Sequence, residues 1–155
     1  MFATPSDEEL ARFHRYFAVE SNNHAWLASI APAEERDPLE ILQHAHIAAY
    51  HWSKVGTDIN EFRANILLAH AHAMCGHGQT ALVYVERYRD YLSRHDVAGW
   101  EHGFSVMIHA QVAYVLGDHA QHVALYDQAK ALVESTEDAG DKEVLMMTFV
   151  NIPAP

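Results

Sequence analysis

Apolar positions recur at three- and four-residue steps along most of the chain, which is the pattern of amphipathic helices. The breaks between these segments carry glycine, proline or helix-capping residues. No segment alternates apolar and polar residues as a half-buried strand does, so the predicted fold class is all-α. The pattern predicts seven helices, over residues 6–30, 38–55, 58–75, 79–95, 100–116, 119–135 and 142–150.

The second predicted helix has the clearest ends. Asp37 can cap its N-terminus, Pro38 suits its first turn, and Gly56 can end it. At the first helix, Ser6 and Glu9 have the spacing of a capping box. These residues predict where both helices begin and where the second one stops.

The first two helices have different predicted inward faces. In the first helix, apolar residues are expected to face the core at Leu10, Phe13, Phe17, Leu27 and Ile30. In the second helix, the inward positions are Ile41, His44 or Ala45, Ala48, His51 or Trp52, and Val55. Because buried polar groups need partners, the histidines should either form a hydrogen-bonded core or line a cleft.

The third and fourth helices and the fifth and sixth helices look like two copies of one unit. Ala69 lies seven positions before Gly76, and Ala110 lies seven positions before Gly117. Small residues let two antiparallel helices approach closely, and glycine permits a left-handed turn between them. The chain therefore resembles the tetratricopeptide-repeat pattern over roughly residues 58–135.

That resemblance implies antiparallel helix pairs stacked as a right-handed solenoid or bundle, with a concave face for partners. Ala81 fits the small position after the first glycine, whereas His122 departs from the pattern at the corresponding place. The segments FAVESNN and YHWSKVGT also resemble those of an uncharacterised bacterial family of tetratricopeptide-like proteins. Neither resemblance implies a reaction.

The composition predicts one soluble domain. The chain has 155 residues, of which 50% are hydrophobic and 20% charged, enough to bury a core without disorder. No apolar run reaches the roughly 18 residues of a membrane span, and the N-terminus lacks the pattern of a signal peptide. The single cysteine, Cys75, excludes an internal disulfide. A cytoplasmic location is expected.

The charge of the chain argues against nucleic acid as a partner, and a membrane is not expected as a partner because no apolar run is long enough to span one. The formal net charge is −11 with the histidines neutral, so phosphate groups should be repelled. The 13 histidines would reverse much of this charge in mild acid. Two of them, His119 and His122, are expected to be solvated at the start of the sixth helix.

Metal binding can be tested against helix geometry. His44 and His51 share a face but differ in rise by about 10.5 Å, too far apart for one ion. Glu20 with His24, and Glu40 with His44, have a spacing that puts both side chains on one face. A site would therefore need ligands from at least two helices. The candidate ligands are His24, His44, His51 and His70, for a divalent transition metal such as Zn, Fe, Mn or Cu. The favoured alternative is a hydrogen-bonded core with the other histidines in water.

Four residues are further candidates for lining a ligand pocket: Glu20, Asn23, Trp52 and Arg63. An arginine beside an apolar stripe can offer a planar fork to a carboxylate or phosphate. The alternative for Arg63 is a buried ion pair with Glu20, and this pair is favoured. Trp52 is more typical of core packing than of a ligand platform.

Two functions fit these observations. The first is a non-enzymatic tetratricopeptide-like module that binds a protein or peptide partner or associates with itself as a homodimer. The second is a small metal-dependent enzyme or ligand-binding protein with a polar pocket among the first three helices. There His44 and His51 would be ligands or general bases, Glu20 a ligand or base, and Arg63 an anion clamp.

Overall fold

A computed structural model describes residues 4–155 of the chain, and this part contains seven α-helices, one 3-10 turn (Ala33–Glu35) and no strand. The all-α prediction is confirmed, and the helix ends agree with the predicted ones to within a few residues. The helices are α1 (Asp7–Ser29), α2 (Pro38–Val55), α3 (Asp58–Met74), α4 (Gly78–Leu92), α5 (Gly99–Leu116), α6 (His119–Ser135) and α7 (Ala139–Phe149).

Local side-chain chemistry sets these ends. Ser6 and Glu9 form the capping box at the start of α1. The Asp37 carboxylate accepts hydrogen bonds from two backbone N–H groups in the first turn of α2, at 2.9 and 3.3 Å. Gly76 and Gly117 adopt φ values of 73° and 76°, a left-handed conformation that glycine adopts at little cost.

Consecutive helices pack side by side, and two helices lie at the centre. α3 contacts α1, α2, α4 and α5, while α5 contacts α3, α4, α6 and α7. The main core is formed by buried side chains that include Phe62, Ile66, Tyr88, Phe104, Met107 and Ile108. A smaller core joins α1, α2 and α3 around Ile41 and Leu67. Every helix in the described range is too short or too polar to span a bilayer.

The predicted inward stripe of α1 was wrong. Leu10, Phe13, Phe17 and Leu27 are 40%, 44%, 46% and 65% exposed. The buried residues of α1 are instead the small ones, Ala18, Ser21, Ala25 and Ser29. Of these, Ala25 packs with Ile41 and Ala45 of α2, and the buried residues of α2 are Ile41, Ala45 and Ala48. Small side chains on both surfaces let the two helices approach closely, and that contact decides which face of α1 is covered.

The last helix packs against α5 at a glycine. A Cβ atom on Gly103 would lie 2.9 Å from Leu145 Cδ2, so the absence of a side chain lets α7 sit close to α5. The chain after α7 is also tied to the α1–α2 connection, because an Arg36 Nη group donates a hydrogen bond to the side chain of Asn151. Together these contacts place α7 along one side of the site described below.

Candidate functional site

A largely apolar cleft lies between α1, α3, α5 and α7. Its volume is about 440 Å³, within the range of small-molecule and side-chain pockets. The walls are built from apolar side chains of all four helices, among them Trp26, Leu27, Ile66, Trp100, Phe104 and Met147. No histidine, cysteine or lysine lines the cleft within the described residues.

Arg63 and Glu101 form the charged group of the cleft. Arg63 Nε donates a hydrogen bond to Glu101 Oε1 at 2.7 Å, and the side chains are 45% and 5% exposed respectively. The other carboxylate oxygen of Glu101 accepts from the backbone N–H of Ala98 at 3.0 Å. The guanidinium carbon lies 5.4 Å from the ring centre of Trp100. These contacts hold the arginine in place, and within residues 4–155 its Nη groups make no hydrogen bond.

The favoured ion pair between Glu20 and Arg63 was therefore wrong. Glu20 and Asn23 lie exposed on α1, and Arg63 reaches across to α5 instead. Glu101 was not singled out from the sequence, because its partner is 38 residues away. The one available signal was its position in the first turn of α5, where its carboxylate also completes the helix cap.

Two of the four histidines predicted as metal ligands come together with a third residue. His24 of α1 and His44 of α2 have stacked rings, with centres 3.9 Å apart. His24 Nε2 lies 3.1 Å from Glu40 Oε1. One ligand atom from each of these three residues lies within 4.8 Å of the other two. We call His24, Glu40 and His44 the α1–α2 cluster.

His51 lies apart from that cluster, in contact with His14 of α1. The two Nδ1 atoms are 2.7 Å apart, so one ring must carry the proton and the other must accept it. Burial, and then the neighbouring His14, lower the pKa of His51. The pair therefore joins α1 to α2 by a histidine–histidine hydrogen bond.

His70 is buried in the core and does not belong to the α1–α2 cluster. Its Nδ1 donates to Gln111 Oε1 at 2.6 Å, and its ring stacks on Trp26 with centres 5.3 Å apart. Burial lowers the pKa of His70 to about 4. The neutral ring is thus a hydrogen-bonded part of the core between α3 and α5.

Trp52 lies in a different groove from Arg63. Its neighbours in that groove include His46, Tyr50 and Tyr84. His46 Nε2 lies 3.2 Å from His72 Nε2 at its edge. The sequence-predicted pocket residues are therefore distributed over separate places, with Arg63 alone in the apolar cleft.

His122 was expected in solvent, and this was wrong. It is 2% exposed, and its Nδ1 donates to the backbone carbonyl of Ala110 at 2.9 Å. The carbonyl can only accept, which fixes the proton on Nδ1. The repeat pattern has a small residue at this position. His122 instead joins α6 to α5 by a hydrogen bond.

Comparison of the chain with protein-family models, with curated proteins and with solved structures finds no match.

Proposed function

We propose that this protein is a non-enzymatic binding module whose cleft takes a peptide segment with apolar side chains and a carboxylate. The observation that carries this proposal is the half-exposed Arg63 guanidinium, whose Nη groups make no hydrogen bond to the described residues, at an apolar cleft of about 440 Å³. Planar pairing with a carboxylate is the interaction for which arginine is best suited.

The walls of the cleft would supply most of the affinity. Burying apolar surface contributes about 25 cal/mol for each Å² removed from water, and aromatic rings offer large rigid contact areas. Trp26, Trp100 and Phe104 provide three such rings. A volume of about 440 Å³ suits a small number of peptide side chains rather than a whole helix.

Arg63 would supply orientation and selectivity. Glu101 and Trp100 already hold its side chain, so binding a carboxylate would cost little additional side-chain entropy. The chain is acidic, with a formal net charge of −11, and long-range electrostatics would not attract an anion. Recognition would depend on direct contact with Arg63 after the apolar group has entered.

Binding is favoured over catalysis by what the cleft contains. Its titratable side chains in the described residues are Arg63 and Glu101, which are engaged with each other. A general base or nucleophile would have to be free to meet a substrate. The tetratricopeptide-like arrangement expected from the sequence agrees with a binding role and remains a proposal.

The test compares three probes. Acetyl-Leu-Leu-Phe with a free carboxylate is measured against its carboxamide twin and against octanoate, by titration calorimetry and tryptophan fluorescence. We expect the peptide acid to bind about tenfold more tightly than the amide, as one charge-assisted hydrogen bond would give. Arg63→Gln should abolish that difference, while Arg15→Gln, at an exposed position of α1, should preserve it.

A further variant separates the two parts of the cleft. Leu27 is 65% exposed at the cleft, so Leu27→Ser should leave the fold intact and weaken acid and amide equally. Equal binding of acid and amide by the wild type would refute the role of Arg63. Binding of octanoate without either peptide would make the protein a small-molecule binder instead of a peptide module.

Self-association as a homodimer is a separate prediction from the sequence. Light scattering on a size-exclusion column across a concentration series measures it directly. A mass near 17.5 kDa at every concentration would rule the dimer out.

A further inference from the structure

We propose that His24, Glu40 and His44 bind one divalent transition-metal ion, with Zn²⁺ as the first choice, at a site outside the apolar cleft. Two imidazoles and one carboxylate are ligands that such ions accept readily. In residues 4–155 this is the one group of three histidine, cysteine or acidic side chains whose ligand atoms come close enough to hold an ion together.

The distances in the α1–α2 cluster are near those of a metal site. Ligand atoms about 2.0–2.2 Å from one ion lie about 3–4 Å from each other. His24 Nε2 and Glu40 Oε1 are 3.1 Å apart, and all three ligand atoms lie within 4.8 Å of one another. The His24 ring would have to rotate out of its stack on His44, because an imidazole binds an ion in the plane of its ring. That rotation is available because the His24 and Glu40 side chains are 46% and 52% exposed.

The backbone that carries the ligands is well fixed. Glu40 and His44 are four residues apart on α2 and so share a face. His24 crosses from α1, and its neighbour Ala25 is fully buried against α2, as is Ala45 beside His44. The close contact of the two helices therefore sets the separation between the ligands before any ion arrives.

One ring nitrogen of His44 has no partner within residues 4–155. His44 Nδ1 is shielded from water and has no hydrogen-bond partner in the described chain, a situation that costs free energy. Coordination through Nδ1 would give this atom a partner, although Nε2 of His70 and Nε2 of His122 are also buried without a partner in the described chain.

The His14–His51 pair is a comparison site within the same protein. His14 and His51 lie on the same two helices, with Nδ1 atoms 2.7 Å apart, but no carboxylate completes their group within the described residues. If proximity of imidazoles alone were sufficient, this pair would bind equally well. If the carboxylate is needed, the α1–α2 cluster binds Zn²⁺ and the His14–His51 pair does not.

The experiment uses the full chain without a histidine tag, after treatment with a chelator and dialysis. Titration calorimetry with Zn²⁺ and absorption spectroscopy with Co²⁺ report stoichiometry and coordination. We expect one ion per chain. Glu40→Gln and His24→Gln should each weaken Zn²⁺ binding by at least about tenfold, since loss of a direct ligand costs no less than loss of a supporting hydrogen bond.

The matched controls are His14→Gln and His51→Gln, which should bind Zn²⁺ as the wild type does. Circular dichroism melting shows whether each variant is folded, and the exposed positions of His24 and Glu40 make folding of their variants expected. Equal weakening in the controls would show adventitious histidine binding and overturn the proposal. Absence of stoichiometric binding to the folded wild type would overturn it as well. Neither result would affect peptide binding at the cleft.

Discussion

Arg63 Nε lies 2.7 Å from Glu101 Oε1, which joins a half-exposed arginine on α3 to a carboxylate that is almost wholly buried on α5. Removing the arginine would leave the buried carboxylate with the backbone N–H of Ala98 as its one hydrogen-bond partner among residues 4–155. An uncompensated buried charge is costly, although the water that reaches Arg63 reduces the penalty.

We therefore expect Arg63→Met to destabilise the protein by about 1–3 kcal/mol in urea unfolding. Adding Glu101→Gln to that variant should recover part of the lost stability, because the neutral amide leaves no unpaired charge in the protein interior. Arg15→Met, at an exposed position of α1, is the control and should have little effect. Equal effects of Arg63→Met and Arg15→Met would show that the pair contributes nothing to stability.

Gly103 should be intolerant of a branched side chain. A Cβ at this position would meet Leu145 Cδ2 at 2.9 Å and Cδ1 at 3.3 Å, and Leu145 is fully buried. Gly103→Val should lower stability by about 1–3 kcal/mol through overpacking and displace α7. Gly99→Ala, on the same helix, is the control, because its Cβ would meet no atom within 4 Å. Thermal melts of both variants make the comparison, and a Gly103→Val melt like that of Gly99→Ala would contradict the packing.

The buried face of α1 can be tested by exchanging small and large side chains. Ala25 is fully buried against α2, so Ala25→Leu should force the two helices apart and cost about 1–3 kcal/mol. Phe13 is 44% exposed, and Phe13→Ala should change the free energy of unfolding much less. Urea denaturation measures both values. A larger loss of stability for Phe13→Ala than for Ala25→Leu would support the inward face that the sequence pattern predicted for α1.

His70 should make the fold sensitive to acid. Burial lowers its pKa from 6.5 to about 4, so at a pH well above 6.5 the ring is neutral in both the folded and unfolded states. Between pH 6.5 and about 4, His70 binds a proton in the unfolded chain but not in the folded chain, so the free energy of unfolding falls as the pH drops. At 1.36 kcal/mol per pH unit, the loss approaches about 3 kcal/mol and levels off below the folded-state pKa.

The measurement is urea unfolding at several values between pH 7 and pH 4. His70→Gln keeps a donor for Gln111 but cannot titrate, so its stability should fall less steeply over this range than that of the wild type. His109, whose pKa is also lowered to about 4 by burial, contributes equally in both proteins. His102→Gln, at an exposed position of α5, should retain the wild-type slope. A His70→Gln slope equal to that of the wild type would contradict the assignment.

The elements of this fold were determined by the sequence alone, because the signals that define them are local. The spacing of apolar residues set the helices, and Asp37, Gly76 and Gly117 set ends that the structure confirms. A capping bond spans about three residues, and a left-handed glycine needs only its own φ angle. Such features do not depend on how distant helices are placed.

The tertiary structure alone decided which groups meet. Arg63 pairs with Glu101 and not with Glu20, and His24 contacts Glu40, because each partner lies on a neighbouring helix. The rotation and separation of two helices set such pairs, and periodicity within one helix does not record them. The same reason explains α1, where close packing on α2 buried Ala25 and left Phe13 exposed although Phe13 is the more hydrophobic residue.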